Sequence, residues 1–202
     1  MEVSMSKVSC IVLAAGAGRR MGHDENKIFI KLGNKSIIQW TLSHIEQVKA
    51  VSEVILVVAD GEAEYMKQHI ASLGLSKSIK IITGGKERQD SVYAGLQAVG
   101  DDIDIVLVHD GARPLAKPEL FERVIEGAET HGAVTIGVPS TDTIKRVDID
   151  GQVLETLNRN ELMNIQTPQG FLKNIFKEAQ ETAKRDAYLG TDDVSLVEYI
   201  GK

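Results

Sequence analysis

Short apolar runs alternate along the chain with longer segments in which apolar residues recur at helical spacing. The runs span 8–13, 54–58, 79–82, 103–108 and 134–138, and the segments of helical spacing include 36–48, 90–99 and 118–130. Nearly all-apolar strands joined by helices are typical of a parallel sheet that is covered on both faces and connected by right-handed crossovers. The pattern therefore predicts a single α/β domain over 1–202, with a Rossmann-like three-layer α/β/α arrangement and a mainly parallel sheet.

The predicted topology also says where a ligand would bind. In open sheets of this kind, ligands bind beyond the carboxyl ends of the strands. The loops to search are those that follow Leu13, Ile82, Val108 and Val138.

The segment 143–157 departs from this pattern. It reads TIKRVDIDGQVLETL, two alternating stretches around Asp150-Gly151, which predicts a β-hairpin because both turn residues tolerate positive φ. An isolated two-stranded ribbon is marginally stable in water, so its apolar side chains must pack against something. A second copy of the chain is one candidate, which makes 141–159 a hairpin arm for dimerisation. An edge hairpin folded against its own domain is the alternative.

Composition narrows the class of protein. The 202 residues are 43% hydrophobic and 26% charged, values of an ordinary globular domain that exclude a disordered chain and membrane spans. The net charge of −6 argues against broad attraction to nucleic acid or anionic lipid. The single cysteine, Cys10, cannot form an intrachain disulfide. Residues 1–6 look like a loose lead-in, and Glu2 with Arg19 and Arg20 spoils a signal-peptide interpretation, so we expect a cytoplasmic protein.

A glycine-rich segment follows the first predicted strand. Gly16, Gly18 and Gly22 allow the backbone to approach a ligand closely, while Arg19 and Arg20 supply positive charge. Successive free N–H groups can form an anion-binding nest, so the segment predicts a cradle for a triphosphate. The spacing is neither a dinucleotide fingerprint nor a P-loop, and a plain tight turn is the alternative.

The fourth predicted strand ends in the segment His109-Asp110-Gly111-Ala112-Arg113-Pro114. A carboxylate at this sheet edge can hold Mg²⁺, which needs only one or two protein carboxylates when substrate phosphates fill the other positions. Asp110 could instead cap the next helix or pair with Arg113. We expect His109 to be a hydrogen-bonding group without a catalytic role.

The third loop contains Gly84-Gly85 and leads into a predicted helix. From the first turn of that helix, Arg88 and Ser91 could reach a base edge or a phosphate. A capped connection between strand and helix is the alternative. The sequence shows no zinc-like spacing, no paired cysteines and no nucleophile elbow.

Six ordered motifs together resemble one family. They are Ala14-Ala15-Gly16-x-Gly18-x-Arg20-Met21 with Lys27, Gly84-Gly85-x-x-Arg88-x-x-Ser91-Val92, His109-Asp110-x-Ala112-Arg113-Pro114, Asp142-Thr143-x-Lys145, Arg159, and Gln166-Thr167-Pro168-Gln169. From about Cys10 to the last residue, the set closely resembles the 2-C-methyl-D-erythritol 4-phosphate cytidylyltransferases of the non-mevalonate isoprenoid pathway.

The resemblance implies a role for each matching position. The residues expected around the cytidine nucleotide are Ala14, Ala15, Gly16, Gly85, Lys86 and Ser91. Arg20 and Lys27 would be catalytic, contacting the phosphates and the transition state.

The remaining implied contacts concern the metal and the acceptor. Asp110 would serve Mg²⁺ and the substrate, with Arg113 beside it. Thr143, Arg159 and Thr167 would bind the sugar phosphate. In the family the arm embraces a second subunit, so Thr143 and Arg159 would act on the partner's site in a homodimer.

The implied reaction is consistent with the residue types present. The acceptor phosphate must attack the α-phosphorus of CTP in line with departing pyrophosphate, and these two anions repel each other at contact. Cations must offset that repulsion, whereas no general base is needed because a phosphate acceptor is already ionised.

Three points stay open at this level. The family usually continues with another strand and an Asn-x-Lys segment, which follow Lys202 nowhere in this sequence, so we expect weak acceptor binding with nucleotide binding retained. Ribitol 5-phosphate is the alternative acceptor, although Ala14-Ala15, Lys145-Arg146 and Arg159 favour methylerythritol phosphate. A non-catalytic CTP-binding module is the alternative from another class.

Overall fold

A six-stranded sheet forms the centre of the computed structural model, which describes residues 6–16 and 26–202. Its strands are β1 (Val8–Leu13), β4 (Val51–Val58), β5 (Ser78–Thr83), β6 (Ile105–Asp110), β7 (Ala133–Pro139) and β10 (Met163–Leu172). They lie in the order β5-β4-β1-β6-β10-β7. The pairings of β1 with β4 and β6, and of β4 with β5, are parallel. Strand β10 is antiparallel to both of its neighbours.

Six α-helices accompany the sheet in the described part of the chain. They are α1 (Ile37–Glu46), α2 (Ala63–Ala71), α3 (Arg88–Gln97), α4 (Pro118–His131), α5 (Lys173–Arg185) and α6 (Val194–Tyr199). Two short antiparallel pairs complete the elements, namely β2 (Lys31–Leu32) with β3 (Lys35–Ser36) and β8 (Lys145–Val147) with β9 (Val153–Thr156). None of the helices in the described ranges is long and apolar enough to cross a membrane.

Alternating side chains of β1 feed two separate hydrophobic cores. Cys10 and Val12 pack into a core that includes apolar residues of α1, α2 and α4. Ile11 points to the other face, where the core includes residues of α3, α5 and α6. Because a parallel sheet is stable when both faces are covered, this arrangement is the expected one. The predicted α/β fold with a mainly parallel sheet is therefore confirmed.

Helix α1 shows how local sequence places an element next to the site. The Ser36 Oγ accepts from the Gln39 backbone N–H at 3.4 Å, and the Gln39 Oε1 accepts from the Ser36 N–H at 2.9 Å. This reciprocal capping starts the helix at the predicted position. Further along, the Thr41 hydroxyl donates to the Gly111 carbonyl at 2.9 Å, which ties α1 to the loop after β6.

Strand β10 was missing from the strands that the apolar pattern predicts. It inserts between β6 and β7, which therefore are not neighbours. Its middle, Gln166 to Gly170, is polar and glycine-containing, and its pairing with β7 shifts register there. A strand of this composition gives no continuous apolar signal, so its existence depends on the partners on either side.

The predicted hairpin exists, but the two-residue turn was wrong. Gly151 has a φ of 80°, whereas Asp150 is not among the residues with positive φ. The turn is built instead on Asp148, whose Oδ1 accepts from the Asp150 N–H at 3.1 Å and the Gln152 N–H at 2.8 Å.

The side chains of this hairpin are largely exposed. Ile149 is fully exposed, and Val147 and Val153 are exposed by half or more. Exposure of adjacent apolar residues on a two-stranded ribbon does not fit the edge hairpin that packs against its own domain.

Candidate active site

A cavity of about 540 Å³ lies at the carboxyl ends of β1 and β6. Its lining residues are Leu13, Ala14, Ala15, Gly16, Lys27, Ile28, Gly85, Arg88, Ser91, Asp110, Ala112 and Arg113. Three of the loops singled out in the sequence therefore meet around one space. The structure brings together eight of the predicted site residues, because Ala14, Ala15, Gly16, Lys27, Gly85, Ser91, Asp110 and Arg113 all belong to this lining.

The floor of the cavity is held by backbone hydrogen bonds. The Ala14 N–H donates to the Val57 carbonyl at 2.7 Å, and the Gly111 N–H donates to the Leu13 carbonyl at 2.8 Å. A Cβ added at Gly111 would lie 2.9 Å from that same Leu13 oxygen, so a glycine is needed for this close approach. Arg20 and the rest of the segment 17–25 lie outside the described residues.

The loop between β5 and α3 combines the two interpretations that the sequence left open. The Gly85 N–H donates to the Ser91 Oγ at 3.1 Å, and that hydroxyl donates to the Glu87 carbonyl at 3.2 Å. A Cβ at Gly85 would stand 2.3 Å from the Asp90 Cβ, so only glycine fits this fold of the loop. The connection is capped and also lines the cavity. Lys86 is exposed and is not part of the described cavity lining.

Asp110 faces two arginines at the end of β6. Its Oδ2 accepts from the Arg113 Nε at 3.0 Å, and its Oδ1 lies 3.8 Å from the Arg88 Nη2. The carboxylate is still about one third exposed toward the cavity. The pairing with Arg113 that the sequence offered as an alternative therefore exists, and it leaves the carboxylate accessible to a ligand.

Thr167 and His109 form a buried pair behind this carboxylate. The Thr167 Oγ1 accepts from the Asp110 backbone N–H at 3.0 Å and lies 3.0 Å from the His109 Nδ1. Burial lowers the pKa of His109 to about 4, so the ring is neutral near pH 7. His109 is thus a hydrogen-bonding group, as expected. The Thr167 hydroxyl, which the resemblance implies as a substrate contact, is engaged within the protein.

A second cavity of about 480 Å³ adjoins the first. Its lining includes Thr135, Thr167, Gln169, Asp192 and Ser195 together with Arg88, Asp110 and Arg113. The last three residues line both cavities, so a ligand in one space would meet a ligand in the other at these charged side chains.

Arg88 is anchored from behind by a buried carboxylate. Its Nη2 lies 2.7 Å from the Oδ2 of Asp193, whose exposure is 1%. Burial raises the pKa of Asp193 despite the opposing attraction of Arg88. The Gln169 Oε1 accepts from the Asp193 and Val194 N–H groups at 3.1 and 3.2 Å. The sequence pointed to Arg88 but not to its anchor, because the burial of Asp193 depends on the packing of α6.

The arm residues lie apart from these cavities within one chain. Thr143 is exposed, and the Arg159 Nη1 donates to the Thr141 carbonyl at 3.4 Å. Neither residue belongs to the described lining of either cavity. A single chain therefore does not bring Thr143 and Arg159 to the predicted site.

A magnesium site would have few protein ligands here. Among residues 6–16 and 26–202, no three His, Cys, Asp or Glu side chains cluster to hold a metal. Asp110 is the acidic residue in the described lining of the first cavity. One carboxylate fits Mg²⁺ when phosphate oxygens and water supply the other ligands.

Comparison with known proteins agrees with this geometry. Residues 8–202 match the model of the family described as IspD, 2-C-methyl-D-erythritol 4-phosphate cytidylyltransferase. The protein of that name from Alkaliphilus metalliredigens is 47% identical over 197 residues, which are 97% of this chain and 82% of the relative. The one from Clostridioides difficile is 45% identical, with 96% and 81% covered.

Solved structures show the same likeness. The crystal structure of 4-diphosphocytidyl-2C-methyl-D-erythritol synthase from Anaerococcus prevotii aligns with a TM-score of 0.86 and 32% identity, covering 98% of this chain and 83% of the other. The structure of 2-C-methyl-D-erythritol 4-phosphate cytidylyltransferase from Thermus thermophilus aligns with a TM-score of 0.75 and 29% identity, covering 96% and 85%.

Proposed function

Because the chain belongs to the 2-C-methyl-D-erythritol 4-phosphate cytidylyltransferase family, we infer that it transfers CMP from CTP to 2-C-methyl-D-erythritol 4-phosphate. The products are 4-diphosphocytidyl-2-C-methyl-D-erythritol and pyrophosphate, and the reaction belongs to non-mevalonate isoprenoid biosynthesis. The observation that carries this conclusion at the level of structure is the pair of adjoining cavities that share Arg88, Asp110 and Arg113.

The two cavities suit the two substrates. In this proposal CTP occupies the first cavity, where Gly85 and Ser91 line one side and the end of β1 lines another. The acceptor occupies the second cavity, and its phosphate meets the α-phosphorus of CTP at the shared residues. This arrangement holds both reactants in place for in-line displacement.

Positive side chains offset the repulsion between the two phosphates. Lys27 lines the first cavity, Arg88 and Arg113 stand at the junction, and Arg20 belongs to the glycine-rich segment. Loss of one contact that stabilises charge in a transition state typically costs about 3 kcal/mol, or 10²-fold in rate. We assign the catalytic role to Lys27 and Arg20.

The reaction needs no protein base. The attacking oxygen belongs to a phosphate that is ionised at neutral pH, so no proton has to be removed from it. His109 is buried behind Asp110, and its lowered pKa of about 4 keeps the ring neutral. The proposed chemistry therefore depends on positioning and charge.

Asp110 is the residue that would hold Mg²⁺. Bound between this carboxylate and the phosphates of CTP, the ion would neutralise part of the negative charge that grows on the leaving pyrophosphate. The open side of the Asp110 carboxylate toward the first cavity supports this role.

The active unit in this proposal is a homodimer in the cytoplasm. The exposed apolar side chains of the hairpin arm give a second copy a surface to bury. Thr143 and Arg159, which lie away from the cavities of their own chain, would then bind the acceptor phosphate in the partner's site. Fractionation of cells into cytoplasm and membranes tests the location.

A pyrophosphate-release assay tests the function. CTP and Mg²⁺ are combined with 2-C-methyl-D-erythritol 4-phosphate or with ribitol 5-phosphate in matched reactions. We expect release with the methylerythritol substrate at a much higher kcat/KM. Preference for ribitol phosphate would replace the acceptor, and CTP binding without release from either acceptor would make the chain a nucleotide-binding module.

A further inference from the structure

Asn26 joins the two ends of the glycine-rich segment. Its side chain is 7% exposed, and its Nδ2 donates to the Ala14 carbonyl at 3.1 Å and to the Glu62 Oε2 at 3.3 Å. Its Oδ1 accepts from the Ile28 N–H at 3.4 Å. One amide therefore binds the chain before the segment, the chain after it and the start of α2.

The position of Asn26 gives these contacts a mechanical consequence. It caps the short 3-10 helix Lys27–Phe29, so its Oδ1 fixes the turn on which Lys27 stands. Its Nδ2 fixes the same turn to Ala14, which is itself bound to Val57 of β4. Lys27 is thus connected to the central sheet through a single buried side chain.

The chemistry of the amide is specific. Both Nδ2 hydrogens are engaged with acceptors, so a group without N–H donors cannot replace it. A carboxylate of the same shape would set an oxygen against the Ala14 carbonyl and a negative charge against Glu62. Buried like charges at this spacing are strongly unfavourable.

From these contacts we propose that Asn26 is a positioning residue that aligns Lys27 for phosphate transfer. The proposal rests on the catalytic role assigned to Lys27 above. Asn26 touches no substrate in this account, and its effect on the reaction passes through Lys27.

A double-mutant cycle tests the coupling. Because a displacement of about 1 Å can cost 10²-fold in rate, Asn26→Asp should lower kcat about 10²-fold while the KM for CTP changes little. In a Lys27→Ala background the same substitution should have almost no further effect on kcat, since the group that it aligns is gone. Asn174→Asp, at an exposed position in α5, is the control for the added charge.

A second pair of variants tests the contact with Glu62. Glu62→Gln alone keeps an oxygen that can accept from Asn26, so its kcat should stay near wild type. Combined with Asn26→Asp, it offers an N–H donor to the new carboxylate and should restore part of the lost kcat. If Asn26→Asp does not fold, Asn26→Ser takes its place in the cycle, since a serine hydroxyl still caps the turn.

Each result decides one question. An equal loss of kcat in both backgrounds would show that Asn26 acts through stability alone and would overturn the positioning role. A wild-type chain that binds CTP but releases no pyrophosphate would instead overturn the proposed function. Hydrogen exchange at the Ile28 amide reports the clasp without activity, and we expect faster exchange in Asn26→Asp.

Discussion

The Thr167 hydroxyl holds the backbone amide of Asp110 at 3.0 Å, across the boundary between two antiparallel strands. The bond lies where β6 ends, and it determines the direction in which the Asp110 carboxylate leaves the sheet. Since Asp110 also lines both cavities, a residue of β10 controls a carboxylate at the junction of the two substrate sites.

Removal of this hydroxyl should affect both stability and activity. Thr167→Val keeps the shape but leaves the Asp110 N–H unpaired, which costs about 1–3 kcal/mol for a buried donor. We expect a lower melting temperature and a lower kcat/KM in the pyrophosphate assay. Thr167→Ser retains the hydroxyl and should remain close to wild type. Valine and serine variants of equal activity would show that the hydroxyl does not orient Asp110.

His109 gives the fold a dependence on pH. In the unfolded chain its pKa is near the ordinary 6.5, and burial lowers it to about 4 in the folded protein. Between these values the unfolded state binds the proton and the folded state does not, so stability is lost as the pH falls from 6.5 toward 4. The shift corresponds to about 3 kcal/mol.

Denaturant unfolding across this pH range measures the contribution of His109. His109→Asn, which can still bond to Thr167, should flatten the curve between pH 6.5 and 4. His131→Asn, at an exposed position in α4, is the matched control and should leave the curve unchanged. A wild-type slope in His109→Asn would assign the acid sensitivity to other groups.

The ion pair of Arg88 with Asp193 predicts an unusual pattern of rescue. Arg88→Met leaves a buried carboxylate without its cation, which should destabilise the fold by about 3 kcal/mol. Asp193→Asn in the same chain removes the charge, so the double variant should recover much of this loss. Urea unfolding of the two single variants and the double variant gives the coupling free energy.

The same pair should respond to acid. Burial already raises the pKa of Asp193, and removal of Arg88 removes the attraction that opposes the rise. A carboxyl whose folded pKa is raised contributes stability at low pH that is lost as the pH rises through that pKa. The deficit of Arg88→Met relative to wild type should therefore be smaller in acidic than in neutral buffer.

Much of the scaffold could be predicted because the responsible signals are local. The bounds of β1 agree with the apolar run 8–13, and the start of α1 follows from the cap formed by Ser36 and Gln39. The rule that ligands lie beyond the carboxyl ends of strands placed the search at the loops after Leu13 and Val108, which line the first cavity.

The features that could not be predicted depend on distant partners. Strand β10 lacks a continuous apolar pattern, and its order between β6 and β7 is decided by pairing. The direction of the Thr167 hydroxyl, toward His109 rather than toward solvent, depends on that same pairing. Asp193 looks like any surface acid in the sequence, and only the packing of α6 buries it against Arg88.

The hairpin arm should control the oligomeric state. Ile144 and Leu157 are joined by a backbone hydrogen bond of 3.0 Å, so 145–156 can be replaced by a short glycine linker without separating the ends. We expect monomers by light scattering, because the exposed apolar surface of the arm is removed. Ile149→Ser with Val153→Ser should weaken the dimer in the same direction. An unchanged dimer would place the interface elsewhere.

Subunit mixing decides whether the arm completes the partner's site. If Lys27 and Arg159 serve one site from different chains, a heterodimer of Lys27→Ala and Arg159→Ala subunits contains one site with neither substitution and one with both. Random exchange makes half of the dimers mixed, so the activity should recover to about one quarter of wild type. If both residues act within one chain, every site keeps one substitution and no activity returns. Exchange proven by differently tagged subunits, with no recovery, would therefore assign Arg159 to its own chain.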